Sequence, residues 1–404
     1  MAKRPKDITK KQFTGMAGCV VLAGSILMAN ITQVVSGDTE VRTIERVYVT
    51  PAASEPLFSE QFLQAVPIGQ IVGAVDALHA SYGSAHAVRE AGDGYEIETA
   101  THRIPVQISL NAEGRIVGLL FKPAERLTAS IDETLKLLAA MPGEVSYAIT
   151  RDGELVYGRD SDERLAVGSA FKLGVLAVLA DGIEAGTHRW DDVLRLEPGD
   201  KSLPSGQLQH FPTGSPFTLH TLAAAMIAES DNTATDMLIR LLGREPIAEK
   251  LKAETLLTTR EFFILKADPD LARRYAEAGT DGRMAIIGEI AGRDLPPPVK
   301  VIGQHDEGVE WYVSNTTLCE LAGAVRTIDV FTINPGPVDT GRWSSVAYKG
   351  GSETGVLNLT AALADEDGHS WCVSLTVNDT AAMNTADITG LFSRLTDQLA
   401  ADPQ

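Results

Sequence analysis

The positions of the strand-like segments constrain the fold of this chain more than any other feature of its sequence. Short apolar segments with β-branched residues or period-two alternation lie near both ends of the stretch 129–404, whereas the residues between them have the apolar spacing of helices. The strand-like segments are residues 145–150, 154–158, 345–349, 356–362 and 371–377, and a terminal helix is expected over 386–399. Because such strands would pair with each other, we expect an α/β (α+β) fold in which one antiparallel sheet has a helical lobe inserted between its strands.

A smaller unit precedes this one. From Ser59 to Tyr82 apolar residues recur at helical spacing, and strand patterns follow at 104–110 and 116–121. We therefore predict a small α+β domain over residues 57–124, with one helix against a curved antiparallel sheet, as in steroid isomerases and cystatins. Residues 37–56 are polar and contain Pro and Ser, which we interpret as a mobile linker.

The first 36 residues have the pattern of an export signal. Five basic residues precede an apolar stretch from about Met16 to Val35. Residues 1–36 are therefore either a signal peptide that is removed or a signal anchor that stays in the membrane. We expect the rest of the protein to be periplasmic or extracellular, or held at the outer face of the cytoplasmic membrane.

The charge and the cysteines narrow the possible partners. A formal net charge of -19 and a sequence pI near 4.8 predict an acidic surface that repels nucleic acid. We find no grouping of His, Cys and carboxylate residues typical of a metal site, and we expect neither a metal nor a cofactor. Beyond the signal segment only Cys319 and Cys372 remain; they could form one disulfide, but we favour two separately buried thiols.

Ser169 and Lys172 form the first motif that suggests chemistry. A serine hydroxyl is a poor nucleophile until a base accepts its proton, and a spacing of three residues on a helix places the two side chains on one face. Lys172 can be that base if burial and a second cation keep part of its population neutral. Residues 173–180 are almost entirely apolar, so we expect the helix to run through the core and hold Ser169 at its positive end.

Two further motifs follow along the chain. The second motif of the chain is residues 230–232. Its Ser230 could relay a proton, and its Asn232 could orient Lys172 and contact a substrate amide. The third motif is residues 349–352. Its Lys349 ends a strand pattern and would attract a substrate carboxylate, while Gly351 allows the backbone to approach a ligand closely. The N–H group of Ser352, with that of the nucleophile, would form an oxyanion hole. Each motif alone is an ordinary turn or strand end, but all three in order predict a hydrolase.

Together the motifs resemble those of class A β-lactamases and penicillin-binding enzymes. The likeness runs from about Ala129 to the C-terminus and includes the approach to the nucleophile, residues 161–168. It implies a serine β-lactamase-like fold over 129–404, with catalytic roles for Ser169, Lys172 and Ser230 and substrate-binding roles for Asn232, Lys349, Gly351 and Ser352. With the smaller unit and the segment 203–206, the layout is similar to that of the two-domain serine hydrolases of clavulanic acid biosynthesis clusters and of related mycobacterial lipoproteins.

The sequence departs from that pattern at two places. Gly350 stands where the family usually has Thr or Ser between the lysine and the glycine, which removes a hydroxyl. The ExxLN loop, whose glutamate directs water onto the acyl-enzyme, has no match. Glu261 lies in about the right region without the following Leu-Asn, and we regard it as a possible deacylation base. We therefore expect acylation to outpace deacylation.

These observations predict an exported serine hydrolase that forms an acyl-enzyme at Ser169 with a β-lactam, an ester or an acyl-D-alanine-like amide. A penicillin-binding D-alanyl peptidase acting on cell-wall peptides would share every motif. A non-catalytic envelope protein that only binds a ligand is the third alternative. A site that had lost its catalytic activity would, however, be expected to lack at least one of Ser169, Lys172, Ser230 and Lys349.

Overall fold

The structure, a computed structural model, describes residues 20–22, 37–92, 94–127, 130–301, 308–381 and 383–401. Apart from 20–22, the predicted export signal lies outside the described residues. Within these ranges no helix has the length and apolar character needed to cross a membrane. The chain divides into two units, the first comprising residues up to Ala124 with Asn384–Ile388 and the second the remainder.

The first unit contains three helices and an antiparallel sheet. Its elements are β1 (Val20–Leu22), α1 (Gly37–Val49), α2 (Glu60–Ala65), α3 (Ile68–Tyr82), β2 (Ala87–Ala91), β3 (Gly94–Glu98), β4 (His102–Leu110) and β5 (Ile116–Phe121). The strands pair in the order β1-β5-β4-β3-β2. Buried side chains from all three helices and from the sheet form one core, for example Ile71, Val75, Ile97 and Ile104.

Two expectations for this unit were wrong in detail. Residues 37–49, predicted as part of a linker, form helix α1, because Ile44, Val47 and Tyr48 recur at helical spacing and bury a narrow stripe within an otherwise polar segment. The single helix predicted from Ser59 to Tyr82 is two helices, α2 and α3, which meet at Pro67. Proline lacks the N–H that a continuous helix needs.

The second unit is larger. Its strands are β6 (Glu125–Arg126), β7 (Glu144–Arg151), β8 (Glu154–Arg159), β9 (Arg164–Ala166), β10 (Val193–Arg195), β11 (Pro216–Thr218), β12 (Tyr312–Ser314), β13 (Ser345–Glu353), β14 (Val356–Ala364) and β15 (Ser370–Asn378). Its helices are α4 (Ile131–Ala139), α5 (Lys172–Glu184), α6 (Leu219–Ala228), α7 (Asn232–Leu242), α8 (Arg244–Lys250), α9 (Thr259–Lys266), α10 (Pro269–Glu277), α11 (Thr280–Ile290), α12 (Asn315–Val325) and α13 (Thr385–Ala401).

Strands from both ends of the second unit form one sheet. The order is β13-β14-β15-β7-β8, all antiparallel, with Leu375 of β15 opposite Tyr147 of β7. The helices α5 to α11 lie in the chain between β8 and β13. The predicted antiparallel sheet with an inserted, largely helical lobe is therefore confirmed, and β13, which carries Lys349, is an edge strand.

Helix α5 passes through the core of this unit. Its residues from Lys172 to Ala177 are all buried, and it packs against α7, α8 and α12. Just before it, β9 pairs with the short strand β12, Ala166 opposite Tyr312. The segment that enters α5 is thus held on one side by β12 and continues directly into a buried helix.

The cysteines differ from our expectation. Cys319 of α12 and Cys372 of β15 form a disulfide, with Cα atoms 5.6 Å apart, where we had favoured two free thiols. Ala148 of β7 packs beside them. Helix α12 crosses the sheet at this point, a proximity that the separation of 53 residues in sequence could not reveal.

Candidate active site

Ser169 lies in a 3₁₀ turn, Gly168–Phe171, and Lys172 begins α5 directly after it. In a 3₁₀ helix residues three apart are eclipsed, so this turn directs the two side chains the same way more closely than an α-helix would. The ring of Phe171 is buried and stacks on Trp311 at 4.2 Å between centroids. Ser169, the predicted nucleophile, therefore lies on a short turn, the nucleophile turn Gly168–Phe171, that is anchored in the core.

Lys172 is fully buried and makes three polar contacts. Its Nζ atom donates to the carbonyl oxygen of Ser230 at 2.6 Å, to the Oγ of the same residue at 3.1 Å and to Oδ1 of Asn232 at 2.7 Å. Burial holds the pKa of Lys172 well below its ordinary value, and the charge of Lys349 lowers this pKa further. Asp236 and Asp231 act in the opposite direction. A lysine that is partly neutral can accept a proton.

Ser230 bridges the two lysines. Its Oγ accepts from Nζ of Lys172 and, at 3.1 Å, from Nζ of Lys349. The backbone of Ser230 is left-handed, with φ of 57°, a conformation that is strained for a residue with a side chain. Its carbonyl oxygen accepts from both Lys172 and, at 2.6 Å, the hydroxyl of Ser205. These bonds hold the strained residue, and sequence reasoning gave Ser205 no such part.

Asn232 and Asp231, which follow Ser230 in the chain, form hydrogen bonds to Lys172 and to the loop 203–208. Asn232 accepts from Lys172 and donates from Nδ2 to the carbonyl oxygen of Leu203 at 3.0 Å, an arrangement that can orient the lysine. Asp231 caps α7 through the N–H of Ala234 and accepts from the N–H groups of Gln207 and Leu208. Its carboxylate ties the turn to the adjacent loop.

Lys349 is buried on β13. Its Nζ donates to Oγ of Ser230 and to the carbonyl oxygen of Gly350 at 2.5 Å. Burial lowers the pKa of Lys349 to about 7. The residue therefore changes charge near neutral pH, within reach of the proposed proton relay.

Gly351 brings β13 against the nucleophile turn. A Cβ atom at Gly351 would lie 2.1 Å from the carbonyl oxygen of Val167 and 2.5 Å from the backbone nitrogen of Ser169. On the same interface, the nitrogen of Ser352 would lie 3.3 Å from a Cβ placed on Gly168. The backbone N–H groups of Ser169 and Ser352 thus belong to two segments in direct contact, as an oxyanion hole requires.

Gly350 has a different reason to lack a side chain. A Cβ there would lie 2.2 Å from the hydroxyl of Tyr348, whose ring also occupies the space beside Gly336. A threonine at 350 would collide with that phenol. The departure from the usual family motif is therefore matched by a tyrosine two residues earlier on the same strand.

Glu261 is held by hydrogen bonds to neighbouring residues at the start of α9. It closes a capping box with Thr258 at the start of α9, accepting the backbone N–H of that residue. Both carboxylate oxygens also accept from the guanidinium of Arg244, at 2.5 and 2.8 Å. The carboxylate is engaged on both oxygens, so its contacts disfavour a role as deacylation base.

These contacts define a serine hydrolase. A serine on a rigid turn, a buried lysine one turn away, a second serine between two lysines and two converging N–H groups are what acyl transfer through a serine requires. The residues predicted from the three motifs are brought together at one edge of the sheet, and Glu261 has its own separate partners.

The model of the β-lactamase enzyme family matches residues 126–280, which include the nucleophile turn and the Ser230 motif. Over those residues the second unit is similar to this family.

The chain is also similar over part of its length to several solved structures. A β-lactamase from Sphaerobacter thermophilus is 20% identical, with a TM-score of 0.48, covering 68% of this chain and 98% of its own. A β-lactamase from Chitinophaga pinensis is 17% identical, with a TM-score of 0.48 and coverage of 67% and 98%. The protein PBP-A is 17% identical, with a TM-score of 0.44 and coverage of 67% and 94%.

Proposed function

We propose that this protein is an exported hydrolase that forms an acyl-enzyme at Ser169 with a β-lactam, an ester or an acyl-D-alanine-like amide. The observation that carries the proposal is the burial of Lys172 between Ser230 and Asn232. A buried amine next to a second lysine favours its neutral form, which is the form that can take the proton of the serine hydroxyl.

Acylation then follows from the contacts. As Oγ of Ser169 attacks the carbonyl carbon, its proton passes to Nζ of Lys172. Ser230 touches both lysines, so it can transfer a proton from Lys172 to the leaving nitrogen or oxygen. The N–H groups of Ser169 and Ser352 stabilise the oxyanion, and Lys349 attracts a carboxylate on the substrate.

Export is supported by two independent features. The N-terminal residues have the basic and apolar pattern of a signal, and Cys319 is bonded to Cys372. Structural disulfides persist chiefly in oxidising compartments. We place the hydrolase outside the cytoplasmic membrane, either released after cleavage or anchored by the N-terminal segment, where a small molecule or a cell-wall peptide is its substrate.

A penicillin-binding D-alanyl peptidase is the second candidate. The observation that favours it is that Glu261, the one carboxylate near the expected ExxLN position, is held by Arg244 and Thr258. If no other carboxylate activates the water, the acyl-enzyme decays slowly, as in an enzyme that β-lactams inhibit. The two candidates differ in how long the acyl-enzyme persists.

The test is intact-mass measurement after mixing with penicillins, cephalosporins and simple esters. The wild type should gain the mass of one probe, and Ser169→Ala should gain none, since the bond forms at that oxygen. Ser345→Ala, an exposed serine on the same strand as Lys349, is the matched control and should label like the wild type. Equal labelling of wild type and Ser169→Ala would remove the nucleophile assignment. A wild type that no probe labels would favour the ligand-binding alternative.

A further inference from the structure

A second group of buried charges lies outside the three motifs. The ammonium of Lys266, at the end of α9, forms ion pairs with Glu310 at 3.4 Å and with Glu353. The side chains of Lys266 and Glu310 are 1% and 0% exposed, whereas that of Glu353 is 22% exposed. One cation and two carboxylates in the interior are costly to bury, and such an arrangement is a candidate for function.

Strand β13 places this group beside the nucleophile. Alternate residues of a strand point to the same face, so Lys349, Gly351 and Glu353 share one. Lys349 contacts Ser230, and Gly351 lies against the nitrogen of Ser169. Glu353 is the next residue on that face, about 7 Å further along. The face of β13 that lies against Ser169 at Gly351 therefore carries Lys349 on one side of that glycine and Glu353 on the other.

Glu310 belongs to this buried group and comes from the segment just before β12. It directly precedes Trp311, whose carbonyl oxygen accepts the N–H of Val167 at 3.0 Å at the entrance to the nucleophile turn. Burial, together with the neighbouring carboxylate of Glu353, raises the pKa of Glu310 well above its ordinary value. In the described part of the chain, its Oε2 is buried without a hydrogen-bond partner. Glu353 is the most exposed of the three side chains. It is paired with the buried Lys266 and has the buried Glu310 as its neighbour.

We propose that Glu353 is the general base that activates the deacylating water, and that Lys266 and Glu310 position its carboxylate. The proposal rests on the acyl-enzyme at Ser169. Water forms a bond from its oxygen to the acyl carbon while one of its protons passes to Glu353. The bond between that carbon and Oγ of Ser169 then breaks, and the same proton is delivered to Oγ, so both residues return to their starting state. The base comes from β13, not from the loop where the family keeps it.

The experiment separates acylation from deacylation for Glu353→Gln. Stopped-flow mixing with a chromogenic cephalosporin measures the burst, and intact mass follows the decay of the acyl-enzyme after excess probe is removed. We expect a burst rate within about threefold of the wild type and a decay slower by roughly 10²–10⁴-fold, the usual size of a general-base contribution. Glu366→Gln, an exposed glutamate in the turn after β14, is the matched control and should decay like the wild type.

Two further readouts distinguish a base from a structural residue. The wild-type decay rate should fall as the pH is lowered, and this acid limb should be absent in Glu353→Gln. Glu353→Asp keeps the carboxylate and should recover part of the decay rate even if the Gln variant folds poorly. An equal loss of burst and decay, or a decay unchanged in Glu353→Gln, would overturn the proposal. A wild type that is never acylated would instead contradict the proposed function on which it rests.

Discussion

At the scale of single residues, the site depends on two lysines that share one serine hydroxyl. Lys172 and Lys349 both contact Oγ of Ser230, and each is buried. Two ammonium groups so close repel each other, so the neutral form of at least one is favoured. The more deeply affected lysine, Lys172, is suited to take a proton, and Lys349 is suited to carry charge toward the substrate.

The pKa of Lys349, about 7, predicts how substrate binding depends on pH. The burial that lowers this pKa leaves the amine charged below about pH 7 and neutral above it. The KM for a carboxylated β-lactam should therefore rise by roughly tenfold per pH unit above 7, as the charged fraction falls, while that for a neutral ester stays flat. Steady-state kinetics from pH 6 to 9 on both substrates measure this.

Lys349→Gln supplies the control for that measurement. Its KM for the carboxylated substrate should be high and should not show the same change above pH 7. If the KM values of the wild-type enzyme for the two substrates change in parallel with pH, Lys349 acts on Lys172 and not on the substrate carboxylate.

How far the sequence could predict the site also differs from residue to residue. Ser169 and Lys172 are three residues apart, so local geometry alone brings them together. The bond from Ser205 to the carbonyl of Ser230 and the grouping of Lys266 with Glu353 join distant segments. No local pattern marks such contacts, since they exist only once the distant segments that carry them have packed together.

At the scale of elements, the contact of β13 with the nucleophile turn leaves no room for a side chain at Gly351. Gly351→Ala should push the strand away from Val167 and Ser169, because its Cβ would lie within 2.5 Å of backbone atoms in both. Both N–H groups of the oxyanion hole would shift, and we expect the acylation rate constant to fall by about 10²–10³-fold, the usual effect of losing one such donor. Stopped-flow acylation rates measure it.

Gly323→Ala is the control for this substitution. Gly323 lies in α12 with open space around its Cβ position, and alanine favours a helix. It should keep full activity and be slightly more stable. An active Gly351→Ala with unchanged acylation would mean that the strand can move without harm to the oxyanion hole.

The elements were predictable in proportion to the strength of their pattern. The five strands of the main sheet have β-branched or alternating apolar residues, and all of them form. Helix α1 was missed because only a narrow stripe of Ile44, Val47 and Tyr48 is apolar. Strands β9 and β12 have three residues each, too few for any period to show.

At the scale of the whole molecule, the disulfide joins α12 to the middle of the sheet. A crosslink between residues 53 apart should stabilise the second unit by about 4 kcal/mol, through the smaller conformational freedom of the unfolded chain. Urea unfolding of the oxidised protein, of the reduced protein and of the double variant Cys319→Ala, Cys372→Ala measures the effect. Identical midpoints for oxidised and reduced protein would contradict it.

The pairing of β7 with β15 also sets the order in which the molecule can be completed. Val145 lies opposite Val377, so the hairpin β7–β8 is synthesised early and keeps one edge without a partner until β15, the last of the described strands, has been made. Contacts between such distant segments form slowly, and an open strand edge is prone to association. Ser169 is made long before Ser352, so the oxyanion hole cannot be complete until β13 has been made and has packed against the turn that carries Ser169.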